Sequence, residues 1–241
     1  MVDITTWFQL GTIGMVLGTL AMVWATRYVP REKYRESGLL IAVGAIAAVA
    51  YALMSVGIGT IRAVDGHTVY LARYIDWLLT TPLHVVYLGL LAEATRRQLG
   101  ELAVWQALTI AFGLVGAYLA PPMKWVLFLA GGLAFVRVLY LLYRPIYARV
   151  AERRSDNISE LYQKLLNFIA VLWLMYPIIW ILAQSGLGLL DLETQSLVVS
   201  YIDVVAKVGF GLIALNGQAI AASLGSDEEE AAATAGAAST D

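Results

Sequence analysis

The chain has 241 residues, of which 60% are hydrophobic and 14% charged, against roughly 45–50% and about 25% in soluble domains. Its 16 Lys and Arg residues nearly balance its 18 Asp and Glu residues, so it lacks the basic face that a nucleic-acid partner requires. With no cysteine and two histidines, it offers neither a disulfide framework nor a thiolate metal site. The composition therefore indicates an integral membrane protein.

Seven stretches are long and apolar enough to cross a bilayer, which takes about 20 residues of helix for a hydrocarbon core of about 30 Å. In chain order they are residues 5–26, 38–59, 69–90, 102–120, 123–143, 161–183 and 190–222. The segments between them are too short for a soluble domain. The sequence thus predicts an all-α, multi-pass cell membrane protein whose seven-transmembrane-helix bundle occupies residues 1–222.

Residues 223–241 differ in composition from the spans. An acidic run, Ser226 to Glu230, is followed by Ala, Thr, Gly and Ser residues, which cannot bury a core. We expect a disordered acidic tail here.

Basic residues lie in alternate loops, which predicts how the bundle is oriented. Ten occur after the first, third and fifth spans, against two in the opposite loops. The ten are Arg27, Arg31, Lys33, Arg35, Arg96, Arg97, Arg144, Arg149, Arg153 and Arg154, and the two are Arg62 and Lys124. By the positive-inside rule, the N-terminus lies outside the cell and the C-terminus in the cytoplasm.

Four ionisable side chains stand deep in the spans, where each costs about 2.5–3.5 kcal/mol. Arg73 and Asp76 share a face of the third span, and Asp203 and Lys207 share a face of the seventh. One interpretation is an ion-pair network that fixes the packing of these two helices. The other is a lysine nucleophile that forms a Schiff base with a carbonyl cofactor, which the mid-depth lysine between small residues favours.

Aromatic residues form a stripe on the sixth span, at Trp173, Tyr176 and Trp180, with Trp77 beside Asp76 on the third. Such a stripe fits either helix packing and an interfacial belt or a flat, conjugated, apolar ligand that lies across the bundle.

Three strings in these spans closely resemble the archaeal microbial rhodopsins, nearest to the sensory rhodopsin II and middle rhodopsin groups of haloarchaea. They are RYIDWLLTTPL at residues 73–83, WLMYP at 173–177 and DVVAK at 203–207. The resemblance implies that Lys207 binds retinal as a protonated Schiff base, with Asp76 as primary counterion and proton acceptor and Asp203 as second counterion. Arg73 and Tyr51 would join this network. The implied retinal pocket comprises Trp77, Thr81, Gly113, Trp173, Tyr176, Trp180 and Ala206.

Tyr87 bears on which branch of the family the chain resembles. It stands eleven residues after Asp76, where the family's outward proton pumps carry a carboxylate, and no carboxylate occurs between Asp76 and Glu93. Slow reprotonation suits a signalling state, so we expect a phototaxis photoreceptor and not an enzyme. Ala206 resembles the pumps, and the intact counterion set keeps a weak light-driven outward proton pump open as the alternative. A retinal-free carrier that uses Lys207 in an ion pair is a third interpretation.

The resemblance to sensory rhodopsin II also implies a transducer membrane protein that contacts the sixth and seventh spans within the lipid bilayer. Tyr201 matches a transducer-contacting position, and its alternative role is an interfacial tyrosine. The spacing Gly14-x-x-x-Gly18 suits close helix contact or a homo-oligomer.

His84 is a feature of its own. It follows Asp76 and Thr80 in successive steps of four, so it faces the interior, where the retinal polyene should lie. We expect it to tune colour in the pocket. The alternative is a histidine that a neighbouring hydroxyl such as Thr109 satisfies.

Overall fold

The computed structural model describes the backbone of residues 3–238 and the side chains of residues 3–224. Within them, seven segments are long and apolar enough to cross a membrane, as predicted. They are Ile4–Tyr28, Arg31–Ser55, Leu71–Leu91, Arg96–Tyr118, Met123–Arg153, Asp156–Leu182 and Leu192–Leu224.

Nine α-helices and a two-stranded hairpin form most of the regular structure of the described residues, with two short 3₁₀ turns, Thr26–Tyr28 and Arg31–Lys33, between α1 and α2. In chain order they are α1 (Ile4–Ala25), α2 (Tyr34–Ser55), β1 (Thr60–Arg62), β2 (Thr68–Tyr70), α3 (Leu71–Leu91), α4 (Arg96–Tyr118), α5 (Met123–Leu141), α6 (Tyr147–Arg153), α7 (Asp156–Leu182), α8 (Leu192–Val204) and α9 (Phe210–Ala238). Two π turns, Leu142–Ile146 and Val205–Gly209, join α5 to α6 and α8 to α9. Each pair therefore forms one span.

Consecutive spans pack side by side, and α1 closes the ring against α8 and α9. A Cβ atom added to Gly14 would contact Val204, and one added to Gly18 would overlap Val208. The Gly14-x-x-x-Gly18 motif thus serves close contact within one chain, so it gives no support for a homo-oligomer. We call the bundle end that carries β1 and β2 the hairpin end, and the opposite end, with the ten basic residues, the basic end.

The sequence pattern did not predict the hairpin, and it placed the start of the third span at Val69. Thr60 to Arg62 instead pair antiparallel with Thr68 to Tyr70, and α3 begins at Leu71. Gly66 makes the tight reversal with a φ of 89°, a conformation that other residues rarely adopt. Two strands of three residues are too short for their pattern to stand out in an apolar sequence.

The backbone of α9 continues as helix to Ala238, through most of the acidic tail, and the disorder expected for residues 223–241 stays a prediction. Its Glu and Ala residues have high intrinsic helix propensity, which favours extension of a helix already nucleated in the bundle. Residues 239–241 of the predicted tail lie outside the described residues.

An ion pair attaches the hairpin to the bundle. Lys124, at the start of α5, is buried and donates to Asp65 at 3.1 Å, and the His67 ring bonds the same carboxylate. Partial burial raises the pKa of Asp65, but the hydrogen bonds from Lys124 and His67 outweigh it and hold the pKa below its ordinary value. A second link runs from the Val64 N–H to the Tyr118 carbonyl.

We expect Asp65→Asn to lower the unfolding midpoint by roughly 2–4 °C, because it leaves Lys124 without its counter-ion. An ion pair at such a partly exposed site contributes about 1 kcal/mol to the free energy of unfolding. Because the folded pKa is lowered, this advantage of the wild type is present at neutral pH. It is lost as the pH falls below 3.8, the ordinary value, through the lowered pKa.

Thermal denaturation of the purified protein at several pH values measures this difference. Asp3→Asn is the control, because Asp3 is exposed and its side chain does not cap α1. An equal shift in both variants, or none in Asp65→Asn, would contradict the role of the ion pair.

Candidate functional site

Lys207 and two carboxylates form a buried ionic group in the middle of the bundle. Its Nζ lies 2.6 Å from Asp76 Oδ2 on α3 and 3.5 Å from Asp203 Oδ2 at the end of α8. None of the three side chains is more than 3% exposed. The predicted meeting of the third and seventh spans at this lysine is thus present in the structure.

The backbone at Lys207 is not a regular helix. Lys207 stands at the centre of the π turn Val205–Gly209, which inserts one residue into the seventh span. Such single π turns occur often at functional sites. The expected spacing of four from Asp203 still brings the ammonium within ion-pair distance, although the turn between them is wider than in an α-helix.

Asp203 is the most heavily hydrogen-bonded member of this group. Its carboxylate accepts from the Tyr51 hydroxyl at 2.7 Å, the Tyr176 hydroxyl at 2.6 Å and the Trp77 indole N–H at 3.1 Å. These donors come from α2, α7 and α3, so one carboxylate ties three helices to α8. Three donors stabilise a negative charge on Asp203.

Arg73 does not join the ion group as the sequence suggested. Its guanidinium lies over the rings of Phe8 and Tyr70, at 5.5 and 5.2 Å from their centroids. Its Nε and Nη2 atoms are buried and have no hydrogen-bond partner among the described residues. The reason is that the lone pairs of Asp203 are already occupied, and Arg73 lies one turn closer to the hairpin end.

An apolar cavity of about 160 Å³ opens beside Lys207. Most of the predicted site residues line it: Arg73, Trp77, Thr81, His84, Gly113, Trp173, Tyr176, Trp180, Asp203, Ala206 and Lys207. Asp76 and Tyr51 lie behind this wall, where they bond Lys207 and Asp203. The sequence predictions therefore converge on one place.

The cavity walls suit a flat conjugated ligand such as retinal. Trp77 and Tyr176 meet edge to face with centroids 5.0 Å apart, and Trp180 stacks on Phe128 at 4.7 Å. A Cβ atom on Gly132, which also lines the cavity, would meet nothing within 4 Å. A slot between aromatic rings that ends at a buried amine fits an apolar chain with a terminal aldehyde.

Gln106 is a cavity residue that sequence reasoning missed. It is 2% exposed, and its amide donates to the Thr81 hydroxyl at 3.0 Å, which links α4 to α3. Its Oε1 atom has no partner within the described part of the chain. The sequence signal that could have identified Gln106 is an amide side chain inside an otherwise apolar span.

His84 lies in the cavity wall, but Thr109 is not its partner. His84 Nδ1 is 3.1 Å from the Thr80 carbonyl oxygen, whereas the Thr109 hydroxyl donates to the Trp105 carbonyl. Because a carbonyl oxygen only accepts, Nδ1 carries the hydrogen, and Nε2 makes no hydrogen bond to a described residue. The ring packs edge to face against Trp173 and Phe210, at 6.0 and 4.8 Å.

Tyr201 lies away from the cavity. Its side chain is on α8, with 70% of the residue exposed on the outside of the bundle. A tyrosine in this position can contact either lipid or another membrane protein.

Comparisons with known proteins agree with this geometry. Residues 3–221 match the family described as bacteriorhodopsin-like protein. The chain is 50% identical over 236 residues to sensory rhodopsin-2 of Haloarcula vallismortis, covering 98% of this chain and 100% of that one. It is 41% identical to sensory rhodopsin-2 of Natronomonas pharaonis, over 91% of each chain. The solved thermophilic rhodopsin from Rubrobacter xylanophilus superposes with a TM-score of 0.85 at 33% identity, covering 90% of this chain and 96% of that one.

Proposed function

The chain belongs to the bacteriorhodopsin-like family, and from this premise we propose that Lys207 carries retinal, with Asp76 and Asp203 as its counterions. The protein is a retinal-binding light sensor in the cell membrane and not an enzyme. The observation that carries the assignment of Lys207 is its buried Nζ, 2.6 Å from Asp76 at the end of the aromatic cavity. Retinal, attached there as a protonated Schiff base, supplies light absorption and isomerisation.

Asp76 is the better proton acceptor of the two carboxylates. Asp203 accepts three hydrogen bonds from tyrosine and tryptophan donors, whereas Asp76 receives one from Thr80, at 3.3 Å, besides its contact with Lys207. Since donors stabilise the anionic form, the proton on the Lys207 nitrogen passes more readily to Asp76 Oδ2. Asp203 keeps its charge and its bonds to the neighbouring helices.

The residue eleven positions after Asp76 on α3 favours a sensor over a weak outward proton pump. It is Tyr87, a fully buried hydroxyl in place of a carboxyl group. The relatives named sensory rhodopsin-2 support the same choice.

The hairpin end faces the outside of the cell and the basic end the cytoplasm, because ten of the twelve loop Lys and Arg residues lie at the basic end. The partner of the sensor is a transducer membrane protein within the bilayer. It docks on the outer face of α7 and α8, where Tyr201 is exposed. An exposed aromatic residue with a polar tip suits such a contact.

We expect Lys207→Ala to form no coloured pigment with added all-trans retinal, because no amine remains in the cavity. Visible absorption and the mass of the retinal-bearing peptide measure this outcome. Lys124→Ala is the matched control, since Lys124 is buried to the same 3% exposure but lies at the hairpin. Covalent retinal in Lys207→Ala would refute the assignment.

We expect His84→Leu to shift the absorption maximum or the isomer composition of the bound retinal. The substitution removes from the cavity wall a polar ring whose Nε2 makes no hydrogen bond to a described residue. His67→Gln, which changes the histidine in the hairpin, should leave the spectrum unchanged. An unaltered spectrum and photocycle in His84→Leu would remove His84 from the site.

We expect Tyr201→Ala to reduce phototactic reversals of cells while the photocycle of the purified protein stays as in the wild type. Tyr140→Ala is the control, because Tyr140 is 54% exposed on a different helix, α5. Normal phototaxis in Tyr201→Ala would leave Tyr201 as an interfacial tyrosine.

A further inference from the structure

On the basic-end side of Lys207, α3 carries no carboxylate near Tyr87, but one from another helix lies close by. Glu36, near the start of α2, has its Oε2 atom 3.3 Å from Gln218 Nε2 on α9. The same amide donates to the Tyr87 hydroxyl at 2.9 Å. The Gln218 amide therefore links the carboxylate of Glu36 to the hydroxyl of Tyr87.

Glu36 stands at the boundary between water and the buried interior. Its side chain is 16% exposed and pairs with Lys33 at 2.9 Å, whereas Gln218 and Tyr87 are 4% and 0% exposed. A carboxylate in this position can exchange a proton with the solution at the basic end. Its other oxygen already contacts the buried cluster.

The next polar group toward Lys207 is His84, one turn before Tyr87 on α3. The Phe210 ring packs against both, at 4.8 Å from the His84 ring and 5.9 Å from the Tyr87 ring. His84 also lies beside the backbone of Ala206, the residue before Lys207. His84 Nε2, which makes no hydrogen bond to a described residue, is thus the first candidate proton acceptor on the Lys207 side of Phe210.

We propose that Glu36 is the carboxyl group that returns a proton to the Lys207 nitrogen from the basic end of the bundle. The proposal rests on the proposed function, in which Asp76 has taken the original proton. Both oxygens of Glu36 accept hydrogen bonds, from Lys33 and Gln218, so Glu36 first takes a proton from the cytoplasmic solution. Its O–H bond then breaks as this proton moves through one water molecule, past the bridging Gln218 amide, to the Tyr87 oxygen, and the hydroxyl proton of Tyr87 leaves for His84 Nε2. His84 then gives this proton to the Lys207 nitrogen, and Glu36 is left as the carboxylate that accepts from Lys33 and Gln218.

The transfer from Tyr87 to His84 crosses the apolar layer that Phe210 forms. In the proposed path a water molecule bridges this layer, and the buried Oε1 of Gln218, which has no partner among the described residues, offers it an acceptor on the side of Glu36. Gln218 itself positions the two acids, because both of its described hydrogen bonds are donated by Nε2. This barrier keeps proton return slow even though an acid is present.

Glu36→Gln separates proton transfer from helix packing. The amide oxygen of the new side chain can still accept from Gln218, so the link between α2, α3 and α9 is retained, but it carries no acidic proton. Loss of the partly exposed Lys33 pair costs about 1 kcal/mol or less. Glu32→Gln is the matched control, since Glu32 lies in the short turn Arg31–Lys33 just before α2 and has an exposed side chain.

Flash photolysis of the retinal-loaded protein in lipid vesicles measures both the rise and the decay of the state in which the Lys207 nitrogen has lost its proton. We expect Glu36→Gln to leave the rise unchanged and to slow the decay roughly tenfold or more, as for loss of an acid group. Azide, a small weak acid, should restore the decay rate. Glu36→Asp should be intermediate and Glu32→Gln normal.

Time-resolved infrared spectra give a second readout that a packing role would not change. Protonated Asp76 gives a carboxyl C=O band in both proteins, and a second transient carboxyl band, from Glu36, should be present in the wild type and absent in Glu36→Gln. A normal rise with unchanged decay and both carboxyl bands unchanged would overturn the role of Glu36 alone. If the wild type never forms the deprotonated state, the assignment of Asp76 as acceptor fails, and this proposal fails with it.

Discussion

The ammonium group of Lys207 imposes the main constraint on this bundle. A charge in the low-dielectric middle of a span is stable only with paired and hydrogen-bonded partners. Asp76 supplies the close partner at 2.6 Å, and Asp203 supplies the second at 3.5 Å. Since Asp203 must itself be satisfied, it draws donors from α2, α3 and α7. One buried amine thereby fixes the relative positions of four spans around the cavity.

The two carboxylates have different surroundings, and this difference favours transfer of the Lys207 proton to Asp76 over transfer to Asp203. Three hydrogen-bond donors stabilise the negative charge of Asp203. Protonation of this carboxylate would therefore disturb the three helices that supply them. Asp76 is less constrained and can be neutralised at lower cost, with Thr80 as its hydroxyl partner. In the proposed transfer of the proton from the Lys207 nitrogen to Asp76, the ion pair that joins α3 to the seventh span is lost. The contacts of Asp203 remain, so the change is confined to the helices that meet at Lys207.

The spans and the buried charges could be predicted from the sequence because both follow from local rules. Twenty apolar residues cross a bilayer, and Asp76 or Lys207 in such a span is costly wherever it lies. Other features depend on contacts between distant segments. The Gln218 amide meets Glu36 across 182 residues, and Arg73 faces Phe8 and Tyr70 because other donors already fill Asp203. No local pattern encodes those choices, and the π turn at Lys207 likewise has no residue signature.

The two ends of the bundle give protons unequal access to Lys207. Toward the hairpin end, the cavity continues past Arg73 to Thr68 and Tyr70, so polar groups line the way. Toward the basic end, the fully buried side chains of Val85, Leu88, Phe210 and Leu215 separate Lys207 from Glu36 and Gln218. In the proposed cycle, a proton that leaves toward Asp76 crosses a single hydrogen bond, 2.6 Å between Lys207 Nζ and Asp76 Oδ2, whereas one that returns from Glu36 must cross this apolar layer. Fast loss and slow return lengthen the life of the deprotonated state, which is what a membrane signal requires and what a pump avoids.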